Sequence, residues 1–166
     1  MANDFNKYFK HYLDLVEGME PMVALQNTHR EFLSLIDNIP EDKGDYRYEP
    51  EKWTVKEVLS HIIDVERVFA YRAMRFARND DTALAGFDDK LYAQYSNSIN
   101  RSLASMKGEF DILRQSTITL FTSFDEAMWP RGGTANNIEF TVRSLALLIA
   151  GHSRHHGIIL RKRYKL

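Results

Sequence analysis

Not one cysteine occurs among the 166 residues. That absence excludes disulfides, cysteine-type zinc sites, iron–sulfur clusters and a cysteine nucleophile. Any thiol chemistry would need a thiol brought in as a small molecule. Proline is scarce: Pro21, Pro40, Pro50 and Pro130 are the only four, and all stand at the ends of helix-like segments or between them. No apolar run reaches the roughly 18 residues that read as a transmembrane helix. An excess of charge is also missing. The net charge is -1, which favours neither nucleic acid nor a membrane surface. The opening Met1-Ala2-Asn3-Asp4-Phe5 lacks a basic stretch followed by an apolar one. A signal peptide is therefore not expected, and a cytoplasmic protein is the default.

Hydrophobic residues make up 44% of the chain and charged residues 27%, ordinary values for a globular protein. The length suggests one domain, residues 1–166, with a core that needs no staples. Four long segments read as helices. The first runs from Pro21 to Ile39, with Leu25, Phe32, Leu35, Ile36 and Ile39 at helical spacing. The second opens at Thr54, where Thr54-Val55-Lys56-Glu57 fits a capping box, and continues to about Arg78. The third is expected over Asp88–Phe124, with Gly108 as a bend or break. The fourth starts near Thr141 and carries Val142, Leu145, Leu148, Ile149, Ile159 and Leu160. No β-hairpin signal and no internal repeat stand out. The pattern predicts an all-α four-helix bundle, preceded by an N-terminal arm or short helix over the first 17 residues.

The chemistry concentrates in histidines. His152 and His156 are four residues apart, so they share a face of the fourth helix, about 40° from each other. Leu145, Leu148, Ile149 and Ile159 fall within about 60° of His152, so the pair lies inside the apolar stripe. His155 sits at the stripe's edge and is the second choice. On the second helix His61 lines up with Val65, Val68 and Arg72, and facing helices of a bundle can bring such residues together. Two imidazoles in an apolar stripe need polar partners. A shared metal ion would satisfy both and leave room for a third ligand. A single inward histidine is more often a core residue, the reading given to His29; His11 in the arm carries no specific signal. A metalloprotease helix needs His-Glu-x-x-His, and here Ser153 stands in place of the glutamate.

Asp64 and Arg72 are the candidate catalytic residues. Asp64 follows His61 by nearly one helical turn and could accept from a ligand's ring N–H or act as a base; the alternative is a surface or salt-bridged residue. Arg72 could pair with an anionic substrate group; the alternative is an ion pair with Glu66 or Asp88. Tyr71 and Trp53 could line a pocket or simply belong to the core.

The stretches Trp53 to Asp64, Glu66 to Arg72 and Ile149 to His156 resemble the DinB/YfiT-like superfamily, in the branch labelled DinB-like domain. Gly86-Phe87-Asp88 and Arg131-Gly132-Gly133-Thr134 fit as well. The resemblance runs from about Tyr12 to Tyr164. It implies a four-helix bundle with a divalent metal, zinc or nickel, held by His61, His152 and His156. It also implies homodimers, and activities such as metal-dependent hydrolysis or transfer to a low-molecular-weight thiol. Relatives often carry an acid directly after the first histidine of the fourth helix, where this chain has Ser153. The expected partner is a small-molecule substrate, with no nucleic acid and no membrane. The alternative is a non-catalytic, stress-related protein that binds a metal or small ligand.

Overall fold

The computed structural model describes the backbone of residues 2–166 and the side chains of residues 8–166. Its elements are α1 (Ala2–Asp14), α2 (Pro21–Asp37), α3 (Val55–Ala77), α4 (Asp89–Tyr95), α5 (Leu103–Thr122), β1 (Gly132–Ala135), β2 (Ile138–Thr141) and α6 (Val142–Lys162). The four-helix bundle expected from periodicity is present, formed by α2, α3, α5 and α6. Helix α2 packs on α5 and α6, and so does α3, so α2 and α3 lie diagonally across the bundle. That arrangement sets α3 beside α6, the two helices that carry His61 and the His152/His156 pair.

Helix starts follow the sequence signals. Thr54 accepts from the Glu57 N–H at 3.1 Å while Glu57 accepts from the Thr54 N–H at 2.6 Å, a complete capping box. Thr141 and Ser144 form the equivalent box at the start of α6. The N-terminal arm is a helix, α1, laid against α6 and β2. Its approach is close: a Cβ on Gly151 would lie 2.2 Å from the Tyr12 carbonyl oxygen, so only glycine fits there.

Two expectations are corrected. The segment expected as one helix over Asp88–Phe124 is two. Helix α4 ends near Ser96, Asn97 turns left-handed at φ 55°, and a short 3-10 turn leads to Ser102, which caps α5. Gly108 does not bend the chain; it lies within α5, with nothing within 4 Å of where its Cβ would be. The second correction is a β-hairpin. β1 pairs antiparallel with β2 through a two-residue turn, Asn136-Asn137, at φ 51° and 59°. Positive φ at both central residues is what a tight hairpin needs, and asparagine tolerates it better than most residues.

Among the described residues the bundle interior holds one ion pair. Arg114 on α5 is fully buried and donates to both Glu66 carboxylate oxygens at 2.8 Å. It also donates to the Leu25 carbonyl at 3.1 Å, the Thr28 hydroxyl at 3.0 Å and the Ser153 hydroxyl at 3.3 Å. One side chain thus ties α5 to α3, α2 and α6. Replacing Glu66 by Ala leaves a buried guanidinium without its counter-charge and is expected to cost about 3–5 kcal/mol. The Glu66→Ala/Arg114→Met double variant should cost less than Glu66→Ala alone, read by urea unfolding. Equal losses would show that the charge itself is not what the fold must compensate.

Candidate metal centre

His61 comes from the first half of α3, and His152 and His156 come from adjacent turns of α6. Their ring centroids form a triangle with sides of 4.8, 4.9 and 4.6 Å. One nitrogen from each ring lies within 4.8 Å of the others, and these are the potential ligand atoms of a three-histidine group. All three side chains are buried. His155 does not join them. It is half-buried against His11 and Tyr12, with ring centroids 5.1 and 5.0 Å away.

The electrostatics suit lone-pair donation. Burial is the first cause lowering all three pKa values: His61 falls to about 4, and His152 and His156 fall well below the usual histidine range. The neighbouring histidines push His152 and His156 further in the same direction. All three are therefore neutral near pH 7. Nε2 of His61 and Nε2 of His152 are 2.9 Å apart, so one must carry the proton that the other accepts. Both ring nitrogens of His156 are buried with no hydrogen-bond partner. Such a group costs on the order of 1–3 kcal/mol if nothing satisfies it. Three neutral imidazoles, one wholly unsatisfied, fit a divalent ion, and none of the three is committed to a carboxylate.

Beside the histidines lies a cavity of about 180 Å³. His61 and His152 form part of its wall, with Tyr12 from α1, Phe69 and Arg72 from α3, and Phe140 from β2. The hairpin is thus a wall of the site. Asp89, near the start of α4, is the one carboxylate among the described lining residues. Its charge raises the pKa values of His61 and Tyr12, opposing burial at His61 and adding to it at Tyr12, which reaches about 12. Sequence reasoning places Asp89 at the start of the helix expected over Asp88–Phe124, where Asp88 caps α4; nothing in the sequence brings that helix start to the histidines.

The remaining candidates separate. Arg72 reaches the cavity; its alternative ion pairs do not form. Glu66 is taken by Arg114, and Asp88 accepts the N–H groups of Lys90 and Leu91, both at 3.0 Å. Asp64 is not a lining residue. It is half-buried, 3.6 Å from Arg67, and burial raises its pKa. His29 pairs with Asp111 at 2.8 Å, away from the centre. Trp53 packs against the His61 ring at 4.8 Å, whereas Tyr71 is exposed and accepts a hydrogen bond from Arg75 at 2.5 Å. Ser153 is fully buried, spent between Arg114 and the Ala150 carbonyl.

A family model described as the DinB superfamily matches residues 24–160. Among solved structures, the chain is similar to YfiT from Bacillus subtilis, described as a probable metal-dependent hydrolase with an unusual four-helix bundle topology. The two are 17% identical with a TM-score of 0.75, over 87% of this chain and 86% of that one. At that identity the likeness bears on the fold. No curated relative matches the chain.

The lowered histidine pKa values make stability pH-dependent in metal-free protein. Each folded-state value lies below the unfolded one of about 6.5, so the unfolded chain takes up protons first as the pH falls. The stabilisation is complete above about pH 6.5 and declines towards the folded value, which for His61 is about 4. Each histidine held neutral should cost about 1.4 kcal/mol per pH unit across that window. Urea unfolding of chelator-treated protein between about pH 7 and pH 5 should show the decline. A flat profile would mean that the imidazoles are not desolvated.

Proposed function

The chain belongs to the DinB superfamily, and we propose that it is a metal-dependent enzyme of the hydrolase or thiol S-transferase type. His61, His152 and His156 hold the divalent ion, zinc or nickel, and the substrate is a small molecule bound in the adjoining cavity. The observation that carries the reading is the convergence of three buried neutral imidazoles around His156, both of whose ring nitrogens lack a partner.

Three protein ligands leave coordination positions open, the pattern of a catalytic rather than a structural site. An ion held there supplies Lewis acidity, lowering the pKa of a water or thiol that binds it towards neutrality. The protein's own groups do the rest. Burial keeps the imidazoles unprotonated, so their lone pairs remain available as ligands. Phe69 and Phe140 offer apolar surface for the body of a substrate and limit the water beside it. The Asp89 carboxylate, in the same cavity, is the group placed to take up a proton. Ser153 has no such role, since its hydroxyl is sealed in the core. The absence of cysteine means that a thiol nucleophile must be a small molecule.

Elemental analysis of protein purified without added metal, beside a His152→Ala variant, tests the centre. Wild type should carry close to one divalent ion per chain, and the variant should lose most of it. Equally little metal in both would overturn the reading. Loaded protein is then offered simple esters and, separately, a generic electrophile with candidate low-molecular-weight thiols. Turnover that disappears with chelation supports the enzyme. Bound metal with no turnover in either assay favours the non-catalytic binding protein.

A further inference from the structure

Among the described residues Arg72 is the one buried cation of the cavity wall, and no acid among them neutralises it. The residue is 4% exposed, yet no acid forms an ion pair with it among the described residues. One Nη donates to the Ala85 carbonyl at 3.0 Å, and its other N–H groups have no acceptor there. The rings of Phe69, Phe87 and Phe140 surround the guanidinium, with centroids 5.7, 5.7 and 5.9 Å from it. All three line the same cavity as Arg72. Burial alone lowers the Arg72 pKa, as it does when a charge is desolvated without a counter-charge.

The contrast with Arg114 is informative. That guanidinium is equally buried and has its donors committed to Glu66, Leu25, Thr28 and Ser153. Arg72 faces an aromatic enclosure with donors to spare. A guanidinium presents a planar fork that matches a carboxylate. The π-faces around it hold an apolar body.

We propose that Arg72 is the substrate-recognition residue of the site, and that the substrate class is a small carboxylate with an apolar body, of single-ring or short-chain size. The carboxylate pairs with Arg72, and the body lies against Phe69, Phe87 and Phe140. A phosphate ester fits less well. A dianion would meet one cation in an apolar enclosure that also holds the Asp89 carboxylate. The inference rests on the enzyme reading for its meaning as substrate recognition. The binding geometry itself does not require the metal.

The probes are benzoate, phenylacetate and hexanoate, each beside its amide, and phenyl phosphate, titrated calorimetrically into the full chain as purified and after chelation. Each carboxylate should bind roughly tenfold or more tightly than its amide, the discrimination given by one charge-assisted pair. That preference should survive chelation and disappear in Arg72→Gln. Arg72→Lys should retain part of it. A merely structural role for Arg72 would weaken carboxylate and amide alike in Arg72→Gln and leave their ratio unchanged, which would overturn the proposal. So would the absence of carboxylate binding at millimolar concentration, or tighter binding of phenyl phosphate. A carboxylate preference that vanishes on chelation would place the anion at the metal and overturn the proposal while supporting the metal centre. Protein that carries no metal as purified and still shows the preference would do the reverse.

Discussion

The pairing of Arg114 with Glu66 is the constraint around which the bundle is arranged. A guanidinium with no solvent exposure has to find acceptors for its donors inside the protein. Those acceptors come from three other helices: the Glu66 carboxylate on α3, Leu25 and Thr28 on α2, and Ser153 on α6. Satisfying them sets how α2, α3 and α6 stand around α5. Ser153 is the residue next to His152, so the same network holds the segment of α6 from which His152 and His156 project. Ser153 at this position suits the pairing, because Glu66 already supplies the negative charge.

Glu66 is committed to the core pair, and Arg72, six residues further along α3, points about 120° away from it around the helix. Among the described residues no acid pairs with Arg72 on the cavity wall, and no carboxylate joins the three histidines. The three imidazoles are held neutral chiefly by burial, and neither ring nitrogen of His156 finds a partner among the described residues. The Arg114 pair organises the helices, and the histidine cluster beside it uses their positions. Asp89, the one carboxylate among the described lining residues, arrives from α4 outside the bundle.

Much of this was legible in the chain. Helical periodicity located the four bundle helices, and the capping signal at Thr54 placed the start of α3. The α6 wheel separated His156 from His155, as the geometry does. Other features were not legible. The hairpin was missed because its strands are four residues each and its turn is Asn136-Asn137, without the glycine that usually marks one. The α4/α5 break was missed because the left-handed step at Asn97 leaves little trace in the hydrophobic pattern. The choice of Glu66 between Arg72 and Arg114 had no sequence signature. Arg72 is nearer in the chain, but Arg114 approaches from another helix with a bidentate geometry.

The sequence by itself determined which residues face inward on each helix, where the capped helices begin, and that any thiol must come from outside. These are local properties, set by a 3.6-residue period, by caps within one turn and by composition. Tertiary structure decided which inward residues meet. It set α3 beside α6 so that His61 reaches the His152/His156 pair, gave Glu66 to Arg114, and brought the hairpin and α4 to the cavity wall. Such pairings result from competition among groups far apart in sequence, settled by packing and by the need to satisfy every buried polar atom. Periodicity along one helix carries no record of that competition.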